Sequence, residues 1–330
     1  MRFWFSLLVV LILLALATVG AEVGWLRAVF AVGVPALAAV VFLVGFVLRV
    51  VRWARTPVPF KITTTCGQQK ALPWIRHDRF EAPAGAWGVI GRMAMEVLLF
   101  RSLFRNTKAE LRQGPKLAYG TSVWLWFGAM AFHWSMLVIV IRHFRFFTEP
   151  MPGFVAAIES VDGFFQVGLP VIYITDILFP AALLYLLYRR LADAKVSLLS
   201  LTGDYFPLLL LLAIGTTGVL MRYFTKVDLI EVKHLVMGLL SGHPVVPEGV
   251  GVLFYLHLFL VSTLLVYFPF SKLMHMPGIF LSPTRNMAND NRTQRHVNPW
   301  NYPVKVHTYE EYEDEFRDVM KAAGLPVEKE

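Results

Sequence analysis

Polar and apolar positions in this chain are sorted into whole segments rather than single alternating residues. Phe3 to Ala21 and Ala28 to Leu48 carry no charge, and Leu117 to Ile141 holds one group that titrates near neutrality, His133. Apolar runs of about 20 residues match the roughly 30 Å hydrocarbon core of a bilayer. Three further runs follow: Val167 to Tyr188, broken by Asp176; Tyr205 to Met221, the shortest; and Gly249 to Ser271, which holds His257. The pattern predicts six transmembrane helices. The first run, with Arg2, a Leu-rich centre and Thr18-Val19-Gly20-Ala21, has the outline of a secretory signal and is expected here as a retained anchor helix.

Two segments between and beyond the runs are amphipathic. The loop from Arg52 to Lys116 places Met93, Val97, Phe100 and Phe104 at helical spacing, with Arg92, Arg101, Arg105 and Lys108 around them. This predicts a basic helix lying on the inner leaflet or under a partner subunit. In the tail, Thr308-x-x-Glu311 is a capping box, followed by Tyr312, Phe316, Val319 and Met320 on one face and a stop at Gly324. So short a helix needs a surface to dock on.

Composition agrees with the segment reading. Of 330 residues 56% are hydrophobic and 16% charged, and the mean hydropathy is +0.56, more apolar matter than one soluble core absorbs. The net charge of +8 does not point to nucleic acid, because the basic residues sit in loops. Of the 31 Lys and Arg residues, 25 fall on one side of the six spans, which places both termini and the long second loop in the cytoplasm and the chain in the cytoplasmic (inner) membrane. A single cysteine, Cys66, excludes an intrachain disulfide and any iron–sulfur cluster or structural zinc ligated by this chain's thiolates alone.

Ionisable residues within spans mark candidate chemistry. Among nine histidines, His77, His234, His243, His296 and His307 fall in loops or tails. The other four are His133 and His143 on the third span and His257 and His275 on the sixth. Eighteen steps from His257 to His275 make five whole turns, about 27 Å along one face; ten steps from His133 to His143 rise about 15 Å. Antiparallel spans bring His143 level with His257 and His133 level with His275. Two facing imidazoles a porphyrin's width apart ligate haem iron from both sides, leave no open position, and restrict the chemistry to electron transfer. The unequal rises require tilt and a kink at Pro269, and His275 requires the sixth helix to continue past Lys272 to Met276. The competing reading is that each imidazole hydrogen-bonds a neighbouring helix, with His143 and His275 solvated at the interfaces. Gly120, Gly128, Gly215, Gly218 and Gly251 fit close helix packing or approach to a flat macrocycle, and Trp124, Trp126 and Trp134 fit either a haem flank or the lipid surface.

The pattern His-x9-His on one span and His-x17-His on the last resembles the gamma subunits of respiratory nitrate reductases and differs from the cytochrome b of bc-type complexes. The extra amino-terminal span, the longer second loop and tail, and the stretch from Val58-Pro59-Phe60-Lys61 through Thr65-Cys66-Gly67-Gln68-Gln69-Lys70 to Leu72-Pro73-Trp74-Ile75 are similar to the DsrM-type members of that family. Those are the membrane subunits of the DsrMKJOP complexes of sulfur-metabolising prokaryotes. The resemblance implies an all-α integral membrane protein: a dihaem b bundle of four or five helices over residues 28–276 with a cytoplasmic loop at 52–116. An additional anchor over residues 1–27 and a cytoplasmic partner-docking tail over 277–330 complete it.

It further implies two haem b, His143 with His257 for the outer, lower-potential one and His133 with His275 for the inner. It implies oxidation of menaquinol near the outer haem and electron transfer to a DsrK-like cytoplasmic iron–sulfur subunit related to heterodisulfide reductases. The lysine that the nitrate reductase family places beside its quinone has no counterpart in Ser160-Val161-Asp162-Gly163-Phe164-Phe165-Gln166. Arg142, Arg145, Asp162 and Gln166 are the quinone-site candidates. Asp176 is read either as a proton group or as a partner to a hydroxyl such as Thr175, and Cys66 as a cytoplasmic thiol. The rival functions are a haem-free membrane scaffold and a transporter with His133 and Asp176 in a proton path.

Overall fold

A computed structural model describes residues 1–58, 67–104, 108–114, 116–164, 171–293 and 306–329. Uncharged sequence between Arg2 and Glu22 forms one uninterrupted helix, α1 (Arg2–Glu22). A short α2 (Gly24–Ala28) passes through a π-turn at Val29–Gly33 into α3 (Val34–Ala54). The second loop folds as α4 (Ala86–Leu99), α5 (Arg101–Phe104) and an antiparallel hairpin of β1 (Lys108–Arg112) and β2 (Lys116–Gly120). Then come α6 (Val123–His143), α7 (Gly153–Asp162), α8 (Ile174–Ala192), α9 (Ala194–Leu199), α10 (Thr202–Leu220), α11 (Leu229–Ser241) and α12 (Val252–Tyr267). A one-turn α13 (His275–Gly278) and the tail helix α14 (Tyr309–Ala322) complete the chain.

Five of these stretches are long and apolar enough to cross a bilayer: Arg2–Glu22, Gly24–Ala54, Val123–Phe146, Thr202–Thr225 and Val252–Phe270. The remaining expected span, Val167 to Tyr188, is α8, displaced toward the carboxyl end. It is 19 residues long but carries Asp176, Arg189 and Arg190, which lower its apolarity. The large side chains on the outward faces stay exposed, Leu37 at 65%, Leu43 at 60% and Leu48 at 63%. A protein with this outer surface is a multi-pass membrane protein.

The helices pack in the order α6, α8, α10, α12, α3, with α1 lying across α10 and α12. With lipid as apolar as Leu, contact between spans depends on close approach. Accordingly α1 buries Ser6, Val10, Ala17, Gly20 and Ala21, mostly small residues along one face. Its amino end is fixed by Arg2 donating to the carbonyls of Ser200 (2.8 Å) and Leu198 (3.4 Å). A Cβ on Gly128 would lie 2.5 Å from the Tyr185 ring and one on Gly215 would lie 2.8 Å from Phe179, so both glycines exist for helix contact.

The amphipathic segment of the second loop differs from its sequence reading in two ways. The helix breaks at Phe100, a non-glycine residue at φ 48°, whose N–H closes α4 on the Met95 carbonyl. Arg92, expected on a basic surface, is only 3% exposed. Its guanidinium donates to the carbonyls of Glu81, Thr284, Arg285 and Met287. The inward face of α4 therefore clamps the chain's own segment after α13.

In the tail, the capping box forms as expected: Thr308 accepts from Glu311 N–H (3.2 Å) and Glu311 accepts from Thr308 N–H (3.0 Å). Gly324 at φ 70° ends the helix, and Leu325 N–H reaches the Met320 carbonyl. Met320 is buried while Tyr312, Phe316 and Val319 remain exposed. Glu313, buried on the same flank as Met320, accepts from the N–H groups of Glu328 and Lys329, which folds the last residues back onto α14.

Candidate functional site: two imidazole pairs and a charged helix end

The four in-span histidines meet as two pairs. His133 and His275 have ring centroids 5.9 Å apart with planes at 84°. His143 and His257 are 6.5 Å apart with planes at 13°. The helix arithmetic put the same residues level, but the sixth helix does not run on to Met276. α12 ends at Tyr267, Pro269 heads a 3-10 turn, Ser271 is extended, and His275 starts its own short turn after a second 3-10 segment. Proline lacks the N–H that would continue the ladder. The break replaces the uniform kink expected at Pro269 and removes the requirement for a 27 Å rise.

Each imidazole is oriented through Nδ1. His133 Nδ1 bonds the Ala129 carbonyl at 2.8 Å, His143 Nδ1 the Ile139 carbonyl at 2.7 Å, and His275 Nδ1 the Lys272 carbonyl at 2.8 Å. His257 Nδ1 bonds instead the Thr217 hydroxyl on α10 at 2.9 Å. All four rings thus keep Nε2 for a further ligand, the arrangement by which outer hydrogen bonds fix ligating histidines. A metal–imidazole bond of about 2 Å plus a ring radius of about 1.2 Å on each side gives a centroid separation of about 6.4 Å. Both pairs match it. Gly218 presents a bare helix face to the site, since the nearest neighbour its Cβ would meet is His257 Cε1 at 3.4 Å. Phe100 and Phe132 stand edge-on to His133 at 4.9 and 4.7 Å. The donor set and its spacing fit an iron porphyrin held from both faces. Among the described residues no group of three or more His, Cys, Asp or Glu side chains converges on one point.

Beside the His143 and His257 pair lies a buried ion network. Arg142, 8% exposed, sits 3.1 Å from Asp162 and 2.7 Å from Asp176. Asp162 also accepts from the N–H (2.9 Å) and hydroxyl (2.6 Å) of Thr175. Asp176 accepts from the Tyr223 hydroxyl at 2.7 Å, with Arg222 at 3.8 Å. The Tyr173 ring carries both guanidiniums, Arg142 at 3.8 Å and Arg222 at 3.9 Å from its centroid. Arg145 pairs with Glu159 at 2.5 Å, and Tyr173 donates to Glu159 at 3.3 Å. Thr175 thus partners Asp162 rather than its neighbour Asp176. Tyr173, Arg222, Tyr223 and Glu159 were not singled out from sequence, because each lies at the edge of an apolar run where a polar residue looks solvated. Gln166 and Cys66 lie outside the described residues.

The tryptophans also have definite partners. Trp126 and Trp134 of α6 donate to the carbonyls of Leu99 (2.6 Å) and Leu98 (3.1 Å), satisfying the carboxyl end of α4.

Fold and site together define a helical multi-pass membrane protein with two stacked pairs of facing histidines. The family model described as nitrate reductase gamma subunit matches residues 85–292, and the chain belongs to that family. Among known proteins it is 46% identical over 279 residues to the Hdr-like menaquinol oxidoreductase cytochrome b-like subunit of Archaeoglobus fulgidus, covering 82% of this chain and 83% of that one. It is 41% identical over 273 residues to the protein of the same description from Archaeoglobus profundus, covering 81% of each.

Proposed function

We propose that this chain is a dihaem cytochrome b subunit that passes electrons between menaquinol and a cytoplasmic iron–sulfur subunit of the heterodisulfide-reductase type. The observation that carries the reading is the pair of imidazole separations, 5.9 and 6.5 Å, each with Nδ1 held and Nε2 left for iron. The description of the two Archaeoglobus relatives as subunits of a menaquinol oxidoreductase supports menaquinol as the partner. His133 with His275 and His143 with His257 would hold the haem b groups, which would supply one-electron transfer when bound.

His143 and His257 form the outer station and His133 and His275 the inner one, in the orientation given by the excess of Lys and Arg, with both termini cytoplasmic. Arg142, Arg145 and Asp162 make up the quinone side, and the fourth candidate, Gln166, lies outside the described residues. Arg145 and Glu159 form its accessible edge, and the Arg142, Asp162 and Asp176 network its buried backing. Quinol oxidation releases protons, and the atoms placed to take them are Glu159 Oε1 and Asp176 Oδ2, each accepting from a tyrosine hydroxyl. Within the family, the extra span, long loop and tail support reading the chain as a DsrM-type member of sulfur-metabolising DsrMKJOP complexes, with a DsrK-like subunit as its cytoplasmic partner.

The test is the visible spectrum and haem content of the purified chain. The reading expects low-spin b-type bands and two haems per chain, with His257→Ala losing one and retaining the other. Unchanged haem content in His257→Ala overturns the pairing; a folded, colourless wild-type chain overturns the function.

A further inference from the structure

Three of the four imidazoles give Nδ1 to a main-chain carbonyl one turn back on the same segment, whereas His257 gives it to a side chain on another helix. Thr217 Oγ1 lies 2.9 Å from His257 Nδ1. The hydroxyl has one proton, and it is directed to its own helix, with the Ile214 carbonyl at 2.9 Å and the Ala213 carbonyl at 3.0 Å. With Nε2 of His257 given to iron, Nδ1 carries the ring proton, and Oγ1, whose own proton is directed to its helix, is the acceptor. Thr217 itself is buried at 6% exposure, so water does not substitute for it. The next residue, Gly218, lays its bare face against the same ring.

An alcohol oxygen is intrinsically a weaker hydrogen-bond acceptor than an amide carbonyl, and the cooperative gain from its own donation offsets only part of that difference. The strength of this outer hydrogen bond sets how much electron density the ring gives to a bound metal. Weaker donation favours the reduced metal and raises its potential.

The geometry points to Thr217 as a positioning residue that selects the tautomer and plane of the His257 ring and, through that ring, tunes the outer station separately from the inner one. The inference rests on the bis-histidine haem reading above.

The experiment uses the full-length chain in native membranes and then purified. It compares wild type with Thr217→Val, which keeps the shape and removes the acceptor; Thr217→Ser, which restores it; and Thr216→Val, whose exposed hydroxyl bonds only the Leu212 carbonyl. Redox titration and low-temperature electron paramagnetic resonance are read on the component that His257→Ala abolishes. In Thr217→Val that component is expected to titrate at a higher potential with a shifted low-spin signal, or to be lost. The inner component is expected to stay in place, and Thr217→Ser and Thr216→Val to behave as wild type. Should Thr217→Val not accumulate with its inner haem, Thr217→Ala is read by the same criteria. Wild-type potential and signal in the substituted chain, or equal loss of the component in Thr217→Ser, overturn the role of Thr217 and leave the haem reading standing. A wild-type chain without haem overturns the haem reading itself.

Discussion

Arg142 bridges the buried Asp162 and the half-buried Asp176, and its removal has consequences that can be assigned atom by atom. In Arg142→Met, Asp176 keeps the Tyr223 hydroxyl at 2.7 Å and Arg222 at 3.8 Å, whereas Asp162 keeps only its two bonds from Thr175. The uncompensated charge is thus Asp162, whose side chain is 3% exposed. A unit charge pair near 4 Å is worth about 4 kcal/mol at an effective dielectric of 20, and breaking a buried pair from one side costs about 3–5 kcal/mol. We expect Arg142→Met to destabilise the folded chain by about that amount. Adding Asp162→Asn should recover about 0.5–3 kcal/mol, the coupling range of residues in contact. Adding Asp176→Asn instead should recover less, because Arg222 already balances Asp176. The assay is reversible unfolding in mixed micelles of dodecyl maltoside and sodium dodecyl sulfate, followed by circular dichroism. A double substitution with Asp162→Asn no more stable than Arg142→Met alone, or better recovery from Asp176→Asn, would refute the assignment.

Other outcomes follow from features at the ends of the bundle. Arg92→Met removes a buried guanidinium from four carbonyls, each charged hydrogen bond being worth about 1.5–3 kcal/mol. Limited chymotrypsin digestion should then cut faster within residues 280–293, and an unchanged cleavage pattern would show that the clamp is dispensable. The backbone N–H groups of Glu328 and Lys329 hold the Glu313 carboxyl below its ordinary pKa. Its stabilising effect is therefore complete above the unfolded value of about 4.3 and lost as pH falls through the lower folded value. Hydrogen exchange at residues 325–329 should speed up on acidification in wild type and be fast and pH-insensitive, after correction for intrinsic exchange, in Glu313→Gln. Gly128→Ala forces a methyl to within 2.5 Å of the Tyr185 ring and should cost about 1–3 kcal/mol as overpacking, measured in the same micelles; a neutral result would mean that α8 shifts freely against α6.

The spans and the histidine pairing were legible in the sequence because a bilayer demands long apolar runs and a helix converts residue number into angle and rise. What was not legible depended on partners distant in the chain. Asp176 interrupts an apolar run as counted along the sequence, yet α8 begins at Ile174, so Asp176 lies in its first turn, where Arg142 from α6 offsets its charge. Arg92 has the pattern of a surface residue because its acceptors are main-chain carbonyls, three of the four almost two hundred positions later, which no side-chain pattern reveals. Trp126 and Trp134 hold the end of α4 through single N–H groups, a role that their size and apolarity conceal. Pro269 signalled a bend, but the extended Ser271 that turns the bend into a full stop carries no sequence mark of its own.

That stop after Tyr267 makes the depth of the two stations independently adjustable. Because His257 rides on α12 and His275 on a separate turn, residues gained or lost within the connector from Phe268 to Met274 would move one imidazole without rotating the other. Counting residues between the last two histidines therefore does not fix the vertical distance between paired rings in relatives that share this interruption. Family members with unequal spacings can still present the same two levels.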